Sequence, residues 1–325
     1  MSVGFVKQVL DNGGKIKPLI IPSNETNGTG LCNPSILVKD NKILANVRHI
    51  QYTLYHSELK NYEHPYGPLV YLNPDNDNTL TTTNFICELD DDLNISYFSK
   101  VDTSAFDKPP LWEFVGLEDA RLIEWDSKLF LCGVRRDLDT IGTGRMELSE
   151  IEINENSVNE VSRFRIPGPP PDKEYCNKNW MPILDMPYHF VKWTNGTEIV
   201  KVDVQNNSTE SVIIKNWVQH NRDLRGGSQV LSYNGGYLTL NHETDLYRSE
   251  AGRKDATYRH RFTFWDKDWN IQKISQQFSF LNAKIEFACG MAKYKEDYLI
   301  TFGFQDNAAY VLRVPGQFLE DFING

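Results

Sequence analysis

Apolar and polar residues alternate along this chain in short runs, and turn-forming residues bound each run. The pattern is clearest in SILVKDNKILANVR (35–48), ARLIEWDSKLFLCGV (120–134) and SQVLSYNGGYLTLNHE (228–243). A two-residue period sends every second side chain to the same face, so each run reads as an antiparallel hairpin. Asp40-Asn41, Asp126-Ser127 and Asn234-Gly235-Gly236 stand where the tight turns belong. No stretch keeps a helical period for three turns; the best helical segments are short pieces near 5–11 and 316–323. Strands and tight turns from end to end predict an all-β fold.

One larger pattern recurs: a polar or glycine-bearing motif, a short apolar strand, a turn, and a second apolar strand ending in a polar residue. Its copies cover 32–48, 116–136, 178–193, 225–243 and 286–312. Self-similarity at this spacing is the mark of a propeller with insertions between blades, and it predicts one five-bladed β-propeller domain over 1–325. In a propeller the innermost strands begin around the axis. The repeat starts therefore bring Glu118, Asp119, Lys178, Asn179, Arg225, His242 and Glu286 towards one channel mouth.

Composition narrows the function. The 325 residues are 40% hydrophobic and 24% charged, which excludes a disordered or low-complexity chain. Thirty-four basic against 44 acidic residues give a net charge of −10, so a broad attraction to nucleic acid or to anionic membrane is not expected. Any anion must be held locally. No apolar run approaches the roughly 18 residues of a membrane span, and the first residues lack the apolar core of a secretory signal; a cytoplasmic protein is expected. Five cysteines, odd in number and never in CxxC pairs, read as reduced thiols. No HxH or HExxH spacing, dinucleotide fingerprint or Walker motif is present, so neither a metal nor a nucleotide cofactor is expected.

At GLEDARLI the sequence resembles glycoside hydrolase family 130, the β-mannoside phosphorylases and hydrolases, whose motif reads Gly-x-Glu-Asp-Pro-Arg. Gly116, Glu118, Asp119 and Arg121 carry the match. Asn33-Pro34 with Arg48 resembles the first-blade motif, and Lys178-Asn179 the third-blade motif with its phosphate-contacting basic residue. Arg225-Gly226-Gly227 with Asn241-His242 resembles the fourth-blade motif, and 286–312 the fifth. Related propeller β-1,2-mannosyltransferases share the fold. Departures are Ala120 in place of proline, the KNWMPIL continuation of the third motif, and Glu243 where the family has glycine.

The resemblance implies an inverting carbohydrate-active enzyme, a phosphorylase, hydrolase or glycosyltransferase, with Asp119 as general acid acting through a substrate hydroxyl. Inorganic phosphate or a sugar-phosphate donor would be the co-substrate. Phosphate as nucleophile needs cations rather than a second carboxylate, and Lys178, Arg135, Arg136 and His242 are the candidates. Glu118, Asn33, Arg48, Asn179, Arg225, Glu286 and Asp306 are the candidate sugar contacts. With water or a sugar hydroxyl as nucleophile, Glu286, Asp306 or Glu243 could supply the second carboxylate. Trp112 is the leading aromatic platform for a sugar face and Trp180 the second, with Tyr188 and Trp193 also near the motifs. The competing reading is a non-catalytic glycan-binding propeller that accompanies glycosyltransferases. The sequence does not specify an oligomeric state.

Overall fold

The structure is a computed structural model that describes residues 4–55, 70–72, 79–216, 223–248 and 254–325. It is all-β apart from short helices at Phe5–Asp11, Ser23–Thr26 and Gly316–Asn324. The first and last of these coincide with the two helical segments expected from the sequence. Among the described residues, no helix is long and apolar enough to cross a membrane.

The strands group into antiparallel meanders in chain order. Leu31–Lys39, Lys42–Ile50, Leu80–Leu89 and Ile95–Asp102 form the first, and Glu118–Trp125, Lys128–Arg135, Arg145–Ile153 and Val158–Arg165 the second. A short parallel pairing of Val158 and Asn159 with Val101 and Asp102 joins these two into one extended sheet. Met181–Pro182, His189–Trp193, Glu198–Asp203 and Ser208–Ile214 form the next sheet. It is followed by one built on Arg225–Gly226, Leu231–Tyr233, Gly236–Arg248, Lys254–Trp265 and Ile271–Ile274. The last sheet takes Glu286–Tyr294, Asp297–Phe304 and Ala308–Val314, and its outer strand is Lys15–Pro18 from the N-terminal end of the chain. First and last parts of the chain are thus hydrogen-bonded in one sheet.

The turn residues explain the hairpins. Asp40 and Asn41 have φ of 49° and 62°, Asp126 and Ser127 50° and 63°, and Asn234 and Gly235 45° and 77°. Two successive positive φ values make turns whose twist matches the flanking strands. Asn, Asp and Gly reach that region most readily.

Gln229 ties the innermost strands together. Its Nε2 donates to the carbonyls of Ile36 and Leu122, both at 2.9 Å, and its Oε1 accepts from the Met291 amide at 3.1 Å. Ser35 Oγ adds a donation to the Ala120 carbonyl and accepts from the Leu122 amide, each at 2.8 Å. These buried bonds fix the strand starts at Asn33, Asp119 and Glu286 relative to one another, and leaving any of them unmade would cost about 1–3 kcal/mol. Apolar side chains fill the space between sheets. The two terminal helices seal one such layer, where Phe5 and Phe322 pack with Phe262, Phe278 and Phe280. Cys32, Cys87, Cys132 and Cys289 are buried and Cys176 half-buried, all as free thiols.

Candidate active site

A pocket of about 270 Å³ opens where the strand starts meet. It collects Asn33, Arg48, Glu118, Asp119, Lys178, Asn179, Arg225, His242 and Asp306, all singled out in the sequence. The carboxylates and Arg48 come from the first, second and last meanders; Lys178, Arg225 and His242 come from the two between. Asn33, Asp119, Asn179 and Asp306 each hold a positive φ, of 43°, 50°, 59° and 50°. Asn and Asp tolerate this left-handed backbone, and residues held there cluster at functional sites.

Arg48 is the buried centre of the carboxylate side. Its Nη1 donates to Asp119 Oδ1 at 2.7 Å and its Nη2 reaches Glu118 Oε2 at 3.4 Å. Nε and Nη2 also donate to Thr82 Oγ1 at 3.1 and 3.0 Å. Burial alone would favour the neutral form of Asp119, but the Arg48 charge and a 2.7 Å donation from Asn33 Nδ2 hold its carboxyl below the usual range. Arg121 Nη1 fixes the Asp119 carbonyl at 2.8 Å. Asp119 is therefore an ionised, ion-paired carboxylate. Its partner is Arg48; Arg121 reaches only its backbone.

Asp306 has the opposite environment. It lies in the turn after Asp297–Phe304 and makes no hydrogen bond or ion pair with the described residues. Burial, only partly offset by Arg48 and reinforced by Asp119 and Glu118, pushes its carboxyl up to about 6. Burial raises Glu118 as well, against the lowering effect of Arg48. Arg48 contacts only two of the three carboxylates in this low-dielectric pocket, so Asp306 holds its proton to higher pH than an ordinary carboxyl.

On the other side, the Lys178 ammonium has no ion pair or hydrogen bond among the described residues, while Arg225 Nε is 3.0 Å from Asp223 at the surface. His242 Nδ1 donates to the Gly226 carbonyl at 3.0 Å. Burial, with a contribution from His260, keeps the ring neutral. The carbonyl can only accept, so Nε2 is an acceptor; His242 in this state offers an anion no N–H from Nε2, which corrects the expectation of a cationic phosphate donor. A Cβ on Gly226 would collide with the Asn179 carbonyl, which accounts for glycine in the Arg225-Gly226-Gly227 motif.

Other expected residues lie elsewhere. Arg135 is turned into the sheet, with Nε on Glu147 at 2.7 Å and Nη1 on Asp137 at 3.3 Å. Its neighbour Arg136 lies over the ring of Phe114, 4.9 Å from the centroid, and donates to the Gly142 carbonyl and the Tyr175 hydroxyl, outside the residues that line the pocket. Glu286 accepts the amides of Phe280, Leu281 and Ala283 at 2.6 to 2.9 Å, so this carboxylate pins a loop rather than facing ligand space. Glu243 is tied to Arg261 and Gln277. Trp112 packs against Gly142. Trp180 is core beside Phe190, Tyr188 packs on Trp125, and Trp193 is 40% exposed on an outer face.

Sequence reasoning missed Tyr52, Phe114, Leu246, Ala256, Tyr258, Ile285 and Phe287, which also line the pocket. Tyr258 could have been found from its place opposite Thr244 on the strand paired with the His242 strand; its ring stacks on His242 at 5.5 Å.

No protein-family model matches the chain, and no curated protein sequence matches it. Solved structures share its fold. A β-1,2-mannobiose phosphorylase from Listeria innocua superposes with a TM-score of 0.55 at 14% identity, over 91% of this chain and 93% of that one. A mannose phosphorylase from Leishmania mexicana, in complex with phosphate ion, gives 0.51 at 10% identity over 97% and 93%. A glycoside hydrolase family 130 structure, from a family described as mannoside phosphorylases that contains hydrolases of β-1,2-mannosidic linkages in Candida mannan, gives 0.54 at 11% over 89% and 85%. The fold is thus that of the family the sequence motifs resemble.

Proposed function

We propose that this protein is an inverting β-mannoside phosphorylase, and that its antiparallel meanders are the five blades of one propeller closed by the Lys15–Pro18 strand. The observation that carries the reading is the pocket itself: three carboxyls around Arg48 meet Arg225 and Lys178, the latter without an ion pair among the described residues. A glycosidic oxygen leaves with a proton, and the nucleophile attacks from the opposite face of the sugar. The carboxyl side supplies the proton and holds sugar hydroxyls, while the cationic side holds phosphate.

The environments divide the acid roles. Asp306 enters the reaction protonated. Asp119, ionised on Arg48 and Asn33, accepts a sugar hydroxyl and sets its position, with Glu118 as a second hydroxyl acceptor. Two carboxyls whose surroundings push them apart are the usual mark of such a division. Asn33 and Asn179 supply amide contacts to the sugar, and Phe114 and Phe287 the apolar surface that Trp112 was expected to give. At about 270 Å³ the pocket lies just below the roughly 300–1,000 Å³ range of ligand sites, in keeping with one sugar ring and a small anion.

No metal is assigned a role, because Lys178 and Arg225 supply the positive charge that phosphate needs; turnover should survive a chelator. The reverse reaction tests the function. The protein is incubated with mannose 1-phosphate and mannose, and released phosphate and new disaccharide are measured. Disaccharide formed with equimolar phosphate supports the reading. Sugar binding without turnover in either direction would favour the glycan-binding alternative.

A further inference from the structure

A larger cavity lies outside this pocket. It measures about 560 Å³ and sits between the first two meanders, under the 103–115 segment. Hydroxyls line it in number: Thr81, Thr82 and Thr83 in succession on one strand, with Thr103 and Ser104 from a following turn and Ser149 from a third segment. Its charged lining residues balance, with Lys100, Lys108 and Arg135 against Asp102, Asp107 and Asp137. A site balanced in this way favours neither an anion nor a cation.

Asp137 supplies a specific demand. It is 4% exposed, its Oδ2 accepts from the Gly116 amide at 2.9 Å and from Arg135 Nη1 at 3.3 Å, and its Oδ1 is buried with no partner. A buried carboxylate oxygen without a donor costs about 1–3 kcal/mol or more. Lys100 and Lys108 are exposed at the rim without an ion pair among the described residues, and can donate to a ligand oxygen. A neutral molecule rich in hydroxyls satisfies both: it donates to Asp137 and accepts from the lysines, while the Thr81 and Ser149 hydroxyls turn either way. Val101, Val115, Leu117 and Leu131 add apolar surface for a ring face.

We propose that this cleft is a second carbohydrate site, separate from the Asp119 pocket, that takes a neutral mono- or disaccharide. Thr82 forms the wall between the two, since it lines the cleft while its hydroxyl accepts from Arg48. The inference rests on the cleft alone and does not need the phosphorylase reading.

Titration calorimetry of the full chain with D-mannose, D-glucose, D-galactose and β-1,2-mannobiose tests it, on the wild type and on the double variant Thr81→Val/Lys100→Met. Melting temperature is checked on both. The expected result is a class of sites lost or weakened at least tenfold in the double variant, in addition to a class that the variant leaves intact. A single class that the variant removes upholds the cleft and counts against the pocket. A single class indifferent to the variant, or no binding of any of the four sugars, overturns the proposal. Should the double variant melt lower than wild type, wild-type crystals grown with the tightest of these sugars decide: density against Asp137 upholds the site, and density confined to the Asp119 pocket or absent overturns it.

Discussion

Arg48 Nη1 lies 2.7 Å from Asp119 Oδ1, across 71 residues of sequence, and both side chains are largely shielded from water. The guanidinium also reaches Glu118, and its charge acts on Asp306. The direct contact from this cation, with the Asn33 amide, holds Asp119 low, while burial raises Glu118 and Asp306.

Asp119→Asn tests that ordering. Removing one partner of a buried ion pair commonly costs about 3–5 kcal/mol. Here Arg48 keeps Glu118 and gains an ionised Asp306, so the loss should be under about 3 kcal/mol. Turnover should fall by about 10²–10⁴, because the variant loses its sugar-hydroxyl acceptor and also allows Asp306 to shed its proton. Melting temperature and turnover on one preparation separate these effects. A variant that melts much lower but retains full activity per folded molecule would refute a role in the reaction.

The pH profile should follow Asp306. An acid that must be protonated is competent below its pKa, so kcat/KM should be flat in mild acid and fall about tenfold per unit above roughly pH 6. Asp306→Asn should be slow throughout and lack that limb. In Asp119→Asn the limb should move to lower pH, since Asp119 no longer repels the Asp306 charge. A limb unchanged in both variants would assign the acid to another group.

Much of the site was legible because its residues sit at special backbone positions. Asn33, Asp119, Asn179 and Asp306 occupy left-handed conformations at strand starts or turns, where the side chain is both tolerated and exposed to the pocket. The Asp40-Asn41 and Asp126-Ser127 hairpins were readable for the same backbone reason. Facing was not readable. Arg135 and Arg136 are chemically identical neighbours, and only tertiary packing sends the first to buried Glu147 and leaves the second near Phe114. Glu286 had the right residue type at a repeat start, but the Phe280–Ala283 amides claim it, and those contacts belong to a loop with no sequence signature. Leu246 and Ala256 reach the pocket as a cross-strand pair on a long hairpin, which local patterning does not reveal.

Lys178→Met tests the cationic side. A hydrogen bond to a charged group contributes about 1.5–3 kcal/mol, which corresponds to roughly 10–100-fold in affinity. The KM for phosphate should rise by that factor, with little change in the affinity for disaccharide. Added salt should weaken phosphate binding to the wild type more than to the variant. Equal losses for sugar and phosphate would place Lys178 on the sugar instead.

The central claim is that the pocket moves a mannosyl group from a β-linked sugar to phosphate with inversion. Phosphorus NMR of the full chain with β-1,2-mannobiose and inorganic phosphate reads this directly. The account predicts a new α-mannose 1-phosphate resonance that grows with time and is lost in Asp306→Asn. Disaccharide that stays intact in phosphate with the wild type, or a β-configured sugar phosphate as first product, would contradict it.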